Sequence, residues 1–119
     1  MEMATHQEIT ESLLAFTNGY NANQRLIVMN RDWDRVILIK ADDLPSEHTL
    51  ILNNGELTMR EGGVDNPDLI VMANSEILAD MFYGDITPTE PYMNGTLRIT
   101  GSEDDIVRLD FISMLIWGE

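Results

Sequence analysis

The chain has 119 residues, 44% hydrophobic and 24% charged, which is the composition of one globular domain rather than a disordered tail. Seven Lys and Arg stand against 21 Asp and Glu, and the resulting net charge of −14 repels phosphate backbones and anionic bilayers, so nucleic acid is not an expected partner. Cysteine is absent, which removes disulfides, thiolate nucleophiles and Cys-based zinc sites, and no apolar run approaches the roughly 18 residues of a membrane span.

Thr5 and Glu8 form a capping box at the start. Ile9, Leu13, Phe16 and Tyr20 follow at i, i+4, i+7 and i+11, which predicts an amphipathic helix ending near Gly19, with its apolar stripe as core. Residues 21–34 read two ways. Leu26, Ile27, Val28 and Met29 suit a buried strand or one face of a short helix, and a helix capped by Asn21 or Asn23 is the choice taken. Trp33 between Asp32 and Asp34 reads as a seal on the edge of the core, with both acids in water. Residues 36–39 predict a strand and residues 42–46 a turn. Two further strands, 48–53 and 56–60, flank Asn54-Gly55, the signal of a two-residue type I′ turn. In the returning strand Leu57 and Met59 face inward, and Glu56, Thr58 and Arg60 face outward.

Residues 68–102 are the stretch around which the rest is organised. Residues 68–73 are too short for most helices and right for a buried strand. Asn74 or Ser75 caps a helix carrying Ile77, Leu78, Met81 and Phe82, and Gly84 ends it. Pro88 and Pro91 mark an irregular crossing that holds Tyr92 and Met93. Gly95 then turns the chain into an alternating strand over 96–100. Ser102 caps the last helix, with Glu103, Asp104 and Asp105 in its first turn. From Ile106 to Trp117 only Arg108, Asp110 and Ser113 interrupt the apolar residues, which cover well over half the helix circumference. Such a helix needs apolar neighbours on more than one side: the sheet on one, and the first helix, a partner chain or a ligand on the other.

Reactive chemistry is sparse. His6 and His48 lack a second His at i+4 and read as ordinary surface side chains. No Gly-x-Ser-x-Gly, Walker or Gly-x-Gly-x-x-Gly pattern occurs. Asp42-Asp43 and Asp104-Asp105 read as a turn and a helix start, since calcium-loop spacing is missing. No catalytic residue, metal or cofactor is expected. Eight methionines are left, and Met59, Met72, Met81, Met93 and Met114 lie in or beside the inferred apolar wall, where their flexible side chains suit irregular ligands. The first residues show no basic segment of a signal peptide and the last three are not a peroxisomal address, so a cytoplasmic location is the expectation.

An ordered set of marks runs through the second half: Asn54-Gly55-Glu56 at the hairpin; the Gly63 turn; Pro67-Asp68-Leu69 entering a strand; Phe82-x-Gly84, then Pro88; and the run from Tyr92 to Gly101, an aromatic, a glycine, a strand and a second glycine. In this order and spacing the chain resembles the sterol carrier protein-2 family of lipid-binding domains. The resemblance implies a single α+β domain over residues 1–119, of the free-standing prokaryotic type. It implies a curved, mostly antiparallel sheet of about five strands, with helices on one face enclosing an apolar tunnel. Ser102 departs from the acid usual after the glycine, although serine caps equally well. The expected function is non-catalytic binding and transfer of a long-chain lipid: a fatty acid, fatty acyl-CoA, sterol or isoprenoid. Leu57, Met59, Ile70, Met72, Leu78, Met81, Phe82, Tyr92, Met93, Ile112, Leu115 and Trp117 are the residues expected around it. The alternative is a homodimeric or partner-binding module using the apolar C-terminal helix. A third reading, an acid-pair hydrolase on Asp32 and Asp34, has nothing to set the separation of the carboxylates. An Arg25, Arg31 and Arg35 patch can offset the net charge at a membrane surface, without stable insertion.

Overall fold

A computed structural model describes residues 4–117, the side chain of Trp117 excepted. The capping box forms as read: Thr5 Oγ1 accepts from the Glu8 amide at 3.1 Å, and Glu8 accepts from the Thr5 amide at 2.8 Å. Helix α1 (His6–Asn21) runs through Gly19 rather than stopping there. A glycine inside a helix costs about 1 kcal/mol relative to alanine. Here it lets another helix approach, since a Cβ on Gly19 would stand 3.1 Å from Ile116. The ambiguous segment is helix α2 (Gln24–Met29), with Asn23 accepting from the Arg25 and Leu26 amides as its cap.

Three strands follow, β1 (Arg35–Ala41), β2 (Glu47–Asn53) and β3 (Glu56–Glu61), and then β4 (Leu69–Ala73) and helix α3 (Ser75–Tyr83). The stretch read as an irregular crossing contains a helix, α4 (Thr89–Asn94). Its prolines do not prevent it, because Pro91 lies in the first turn, where an amide has no partner within the helix to lose. Strand β5 (Arg98–Thr100) is shorter than the alternation suggested, since the Thr96 and Leu97 amides are both donated to Pro91 O at 3.0 Å and still belong to the end of α4. Helix α5 (Glu103–Trp117) closes the described chain.

The strands form one sheet in the order β3-β2-β1-β4-β5. Three of its neighbouring pairs are antiparallel, and β1 with β4 is parallel. One parity of each strand joins the core: Ile37, Ile39 and Ala41 on β1, Leu50 and Leu52 on β2, Leu57 on β3, and Leu69, Val71 and Ala73 on β4. Helices cover that face. Ile9, Leu13, Phe16 and Tyr20 of α1 meet Leu78, Met81 and Phe82 of α3 and Leu109 and Ile112 of α5. Phe16 and Phe82 pack edge to face, with centroids 5.1 Å apart. The outer edge of β3 is covered at Leu57. Asn21 donates to Leu57 O at 2.7 Å and accepts from its amide at 3.1 Å, which fills the two backbone groups that a further strand would take.

The hairpin turn is type I′ as read, with φ of 54° at Asn54 and 85° at Gly55. Gly55 is tucked beneath α2, where a Cβ would stand 2.3 Å from Ile27 O, and its own carbonyl accepts from the Tyr20 hydroxyl at 2.7 Å. Gly95 also has a positive φ, 86°, but a Cβ there meets nothing within 4 Å. Gly95→Val is therefore expected to cost about 1–2 kcal/mol from backbone strain alone. Gly55→Ala adds a collision with backbone to that strain and is expected to cost about 3 kcal/mol. Urea unfolding of the two variants gives the order, and equal losses would mean that α2 moves away freely.

Candidate functional site

Helix α5 is anchored at its first turn. Asp105 is buried and accepts from Trp33 Nε1 at 2.8 Å and from Arg35 Nε at 3.0 Å, while its amide is donated to Ser102 Oγ at 3.2 Å. Burial alone would raise the pKa of this carboxyl; the Arg35 and Trp33 hydrogen bonds outweigh it and hold the group below the usual carboxylate range. The guanidinium groups of Arg35 and Arg108 lie 5.4 and 5.2 Å from the centre of the Trp33 ring. Arg108 also donates to Asn30 Oδ1 at 2.7 Å. Trp33 is thus the core seal the sequence suggested, with Asp32 and Asp34 both exposed, and Asp34 also accepts from the Asn54 amide at 3.0 Å. Arg35 is committed to Asp105 and is not available to a basic patch with Arg25 and Arg31.

Beyond that anchor, α5 forms one wall of a groove. One half, about 390 Å³, lies between α5, α4 and β5, with Tyr92, Met93, Ile99, Ile106 and Val107 among its lining residues. The other, about 300 Å³, runs under residues 84–89 towards Phe16, Met81, Phe82, Ile86 and Met114. Pro88, Thr89 and Asp110 line both halves, so the two hollows lie side by side. Apolar side chains around the groove remain open to solvent: Met93 is 80% exposed, Val107 63% and Met114 59%. That much exposed apolar surface in one place is what a ligand or partner covers.

The model of the SCP-2 sterol transfer family matches residues 10–107, most of the chain. The chain belongs to this family. Solved structures with the same fold include the UbiJ-SCP2 ubiquinone synthesis protein, 12% identical with a TM-score of 0.70, over 91% of this chain and 94% of that one. Another is the sterol carrier protein-2 of Aedes aegypti in complex with palmitate, 16% identical with a TM-score of 0.66, over 92% and 96%. The fold also occurs within the stereoselective inverting sec-alkylsulfatase Pisa1 from Pseudomonas sp., 20% identical with a TM-score of 0.60 over 72% of this chain, which spans only 14% of the sulfatase. No curated protein sequence matches the chain.

The residues expected around an SCP-2 tunnel divide into groups. Met81, Phe82, Tyr92 and Met93 line the groove. Leu57, Leu78 and Ile112 are fully packed in the core, and Met59 and Leu115 lie half-buried against it. Ile70 and Met72 are corrected by the pleat. Their neighbours Leu69, Val71 and Ala73 face the helices, so these two face the far side of the sheet, where Met72 Sδ accepts from Arg98 at 3.2 Å. The Trp117 side chain lies outside the described residues. Sequence reasoning placed Met114 beside the wall but missed Glu103, Ile106, Val107, Asp110 and Ser113, although the six fall at i, i+3, i+4, i+7, i+10 and i+11, one face of α5. The signal was hidden because two acids, Glu103 and Asp110, interrupt the apolar pattern of that face. The paired acids elsewhere are structural: Asp43 accepts from the Ser75 amide and hydroxyl, both at 2.9 Å, and Asp42 from Arg98 at 3.4 Å. Among the described residues no cluster of His, Asp and Glu is placed to hold a metal.

The histidines overturn their reading. His48 is wholly buried and stacks on His6 at 4.5 Å. The two side chains are 42 positions apart in sequence and meet because the first turns of α1 lie beside the start of β2. Thr10 Oγ1 donates to His6 O, so it accepts from His48 Nε2 at 2.7 Å, and His48 Nδ1 is left buried without a partner. His6 contacts Ser46 Oγ at 2.7 Å and Glu61 at 2.9 Å, beside a concavity of about 540 Å³ that Ser46, Lys40, Glu47 and Gly62 also line. Hydroxyl, imidazole and carboxylate in line are the order of a hydrolytic triad, but acyl transfer also needs amides free to meet an oxyanion. Ser46 is only 2% exposed and the Gly62 amide is already donated to Glu47 O at 2.9 Å. The cluster joins α1 to β2 and β3.

Two measurements test these arrangements. Burial, and then the charge of His6, lower the pKa of His48 to about 4. A group depressed below its unfolded value near 6.5 is neutral in the fold, so its contribution is intact above pH 6.5 and is lost as pH falls towards 4, at roughly 3 kcal/mol in full. Proton NMR should show the His48 imidazole titrating near pH 4, and His48→Gln should flatten the stability slope between pH 6.5 and 4; His48 titrating near 6.5 contradicts this burial. Asp105→Ala leaves the Trp33 and Arg35 donors unmet and is expected to lose about 3 kcal/mol of stability. Asp105→Asn keeps an acceptor and should lose less, as read by urea unfolding.

Proposed function

We propose that the chain binds a long-chain lipid in the groove between α5, α4 and residues 84–88, without acting on it chemically. The observation that supports this reading is that two apolar hollows lie side by side along α5 and share Pro88, Thr89 and Asp110. Each half lies at the low end of the usual 300–1,000 Å³ of small-molecule sites, and a chain lying along α5 would draw on both. Each methylene buried there contributes about 0.8 kcal/mol, so an acyl or prenyl chain binds without much polar chemistry. The palmitate held by the Aedes aegypti relative supports a chain of that kind. Binding that rests on methylenes is loosely selective for chain length, since one more or less changes it by about 1 kcal/mol. Transfer between donor and acceptor surfaces is the use we propose for it, with α4 and the second half of α5 moving apart for loading.

A second reading rests on a different observation. Val107, Phe111 and Met114 fall on α5 at i, i+4 and i+7 and are all exposed, so the same helix offers a face for a second copy or another protein. Its mark is a lipid-free preparation that sediments as a dimer.

Native mass spectrometry of freshly purified protein is expected to show monomers carrying lipid. Delipidated protein titrated with C12 to C18 amphiphiles below their micelle concentrations should gain melting temperature saturably, by an amount that grows with chain length. Met81→Glu places a charge in the groove and should weaken that binding tenfold or more. A folded protein whose melting temperature ignores every amphiphile in the series excludes the lipid reading and leaves the interaction face.

A further inference from the structure

The polar side of the groove has a single sign, and we infer from it that the preferred ligand carries an uncharged hydroxyl at its polar end rather than a carboxylate or phosphate. This rests on the lipid-binding reading of the same groove and narrows it.

The chain has only seven basic residues, and none of them lines either half. Five are occupied elsewhere. Arg35 is on Asp105, Arg108 on Asn30, Arg98 on Asp42 and Met72, Arg60 on Gly63 O, and Lys40 is 3.9 Å from Glu47. Arg25 and Arg31 are exposed at α2 and just beyond it, outside the groove lining. An anionic head entering the groove therefore meets no cation to replace the water it loses.

It meets carboxylates instead. Asp110 lines both halves, and its side chain has no hydrogen bond or ion pair among the described residues. Glu103 lines one half as well. A carboxylate at that place can only accept, so its complement is a donor, and a hydroxyl supplies one without adding charge. Thr87 and Thr89 also line the groove with hydroxyls that have no partner among the described residues. They can accept or donate to a ligand hydroxyl, whereas two neutral hydroxyls do not cancel the repulsion between an anionic head and Asp110. Long-chain alcohols and monoacylglycerols have the chemistry this site recognises.

The test compares heads on one chain. Delipidated protein is titrated with dodecanol, dodecanoate and dodecyltrimethylammonium at pH 7.5 and low salt, below micelle concentrations, by calorimetry and by melting temperature. Dodecanol is expected to bind at least tenfold more tightly than dodecanoate. Asp110→Asn should shrink that ratio at least fivefold by tightening dodecanoate, and 0.5 M salt should shrink it in the wild type. Dodecanoate binding as tightly as dodecanol, or a ratio indifferent to Asp110→Asn, overturns the inference while leaving lipid binding in place. Dodecyltrimethylammonium binding more tightly than dodecanol also overturns it, in favour of a cationic end. Binding of none of the three would take the lipid reading down with it.

Discussion

One buried carboxylate ties the last helix to the first half of the chain. Asp105 unites the start of α5 with Trp33 and Arg35, some 70 positions earlier in the chain. From there the polar contacts continue. Arg108 reaches Asn30, Asn30 donates to Leu26 O and the Tyr20 hydroxyl, and Tyr20 donates to the hairpin carbonyl at Gly55. The C-terminal end of α1, helix α2, the tip of the β2–β3 turn and the base of α5 are thereby one connected unit. A buried network of this kind is stable only when every member is satisfied, and here each named group has a partner.

The second half of α5 is held differently. Leu109, Ile112, Leu115 and Ile116 fasten it to the core by apolar contact alone, while Val107, Phe111 and Met114 stay in solvent. Local opening follows the weakest attachment, so the wall of the groove is able to move while its base does not. Short α4 on the opposite side, with Pro91 buried beneath it and Met93 open above, has the same character. A groove between a fixed base and two adaptable walls can widen without unfolding the sheet.

The charge distribution comes from the same economy. With so few cations, most are used to satisfy buried or turn-forming acceptors, and the acids are left in the majority on the surface. The groove inherits that surplus as Asp110 and Glu103. Composition alone foretold the sign of the surface, but not that the apolar site would share it.

Local rules determined the elements. The capping box, the apolar spacing of α1 and α3, the Asn54-Gly55 turn and the αL glycine after Tyr83 depend on neighbours a few residues away, and each formed as the sequence indicates. So did the family, because its marks are ordered turns and strands in the second half of the chain. Where the expectation failed, a distant contact had decided. Gly19 lies inside a helix at the place where Ile116 packs against it, and His48 is buried where the first turns of α1 bring His6 onto its ring. Ile70 and Met72 leave the expected wall because the neighbouring strands place the opposite parity of β4 against the helices. The groove belongs to this second kind: its lining joins α1, α3, α4, β5 and α5, and no stretch of sequence contains enough of it to be read. Hydrophobic periodicity shows which residues seek burial, but the partner each finds is settled only when the elements pack.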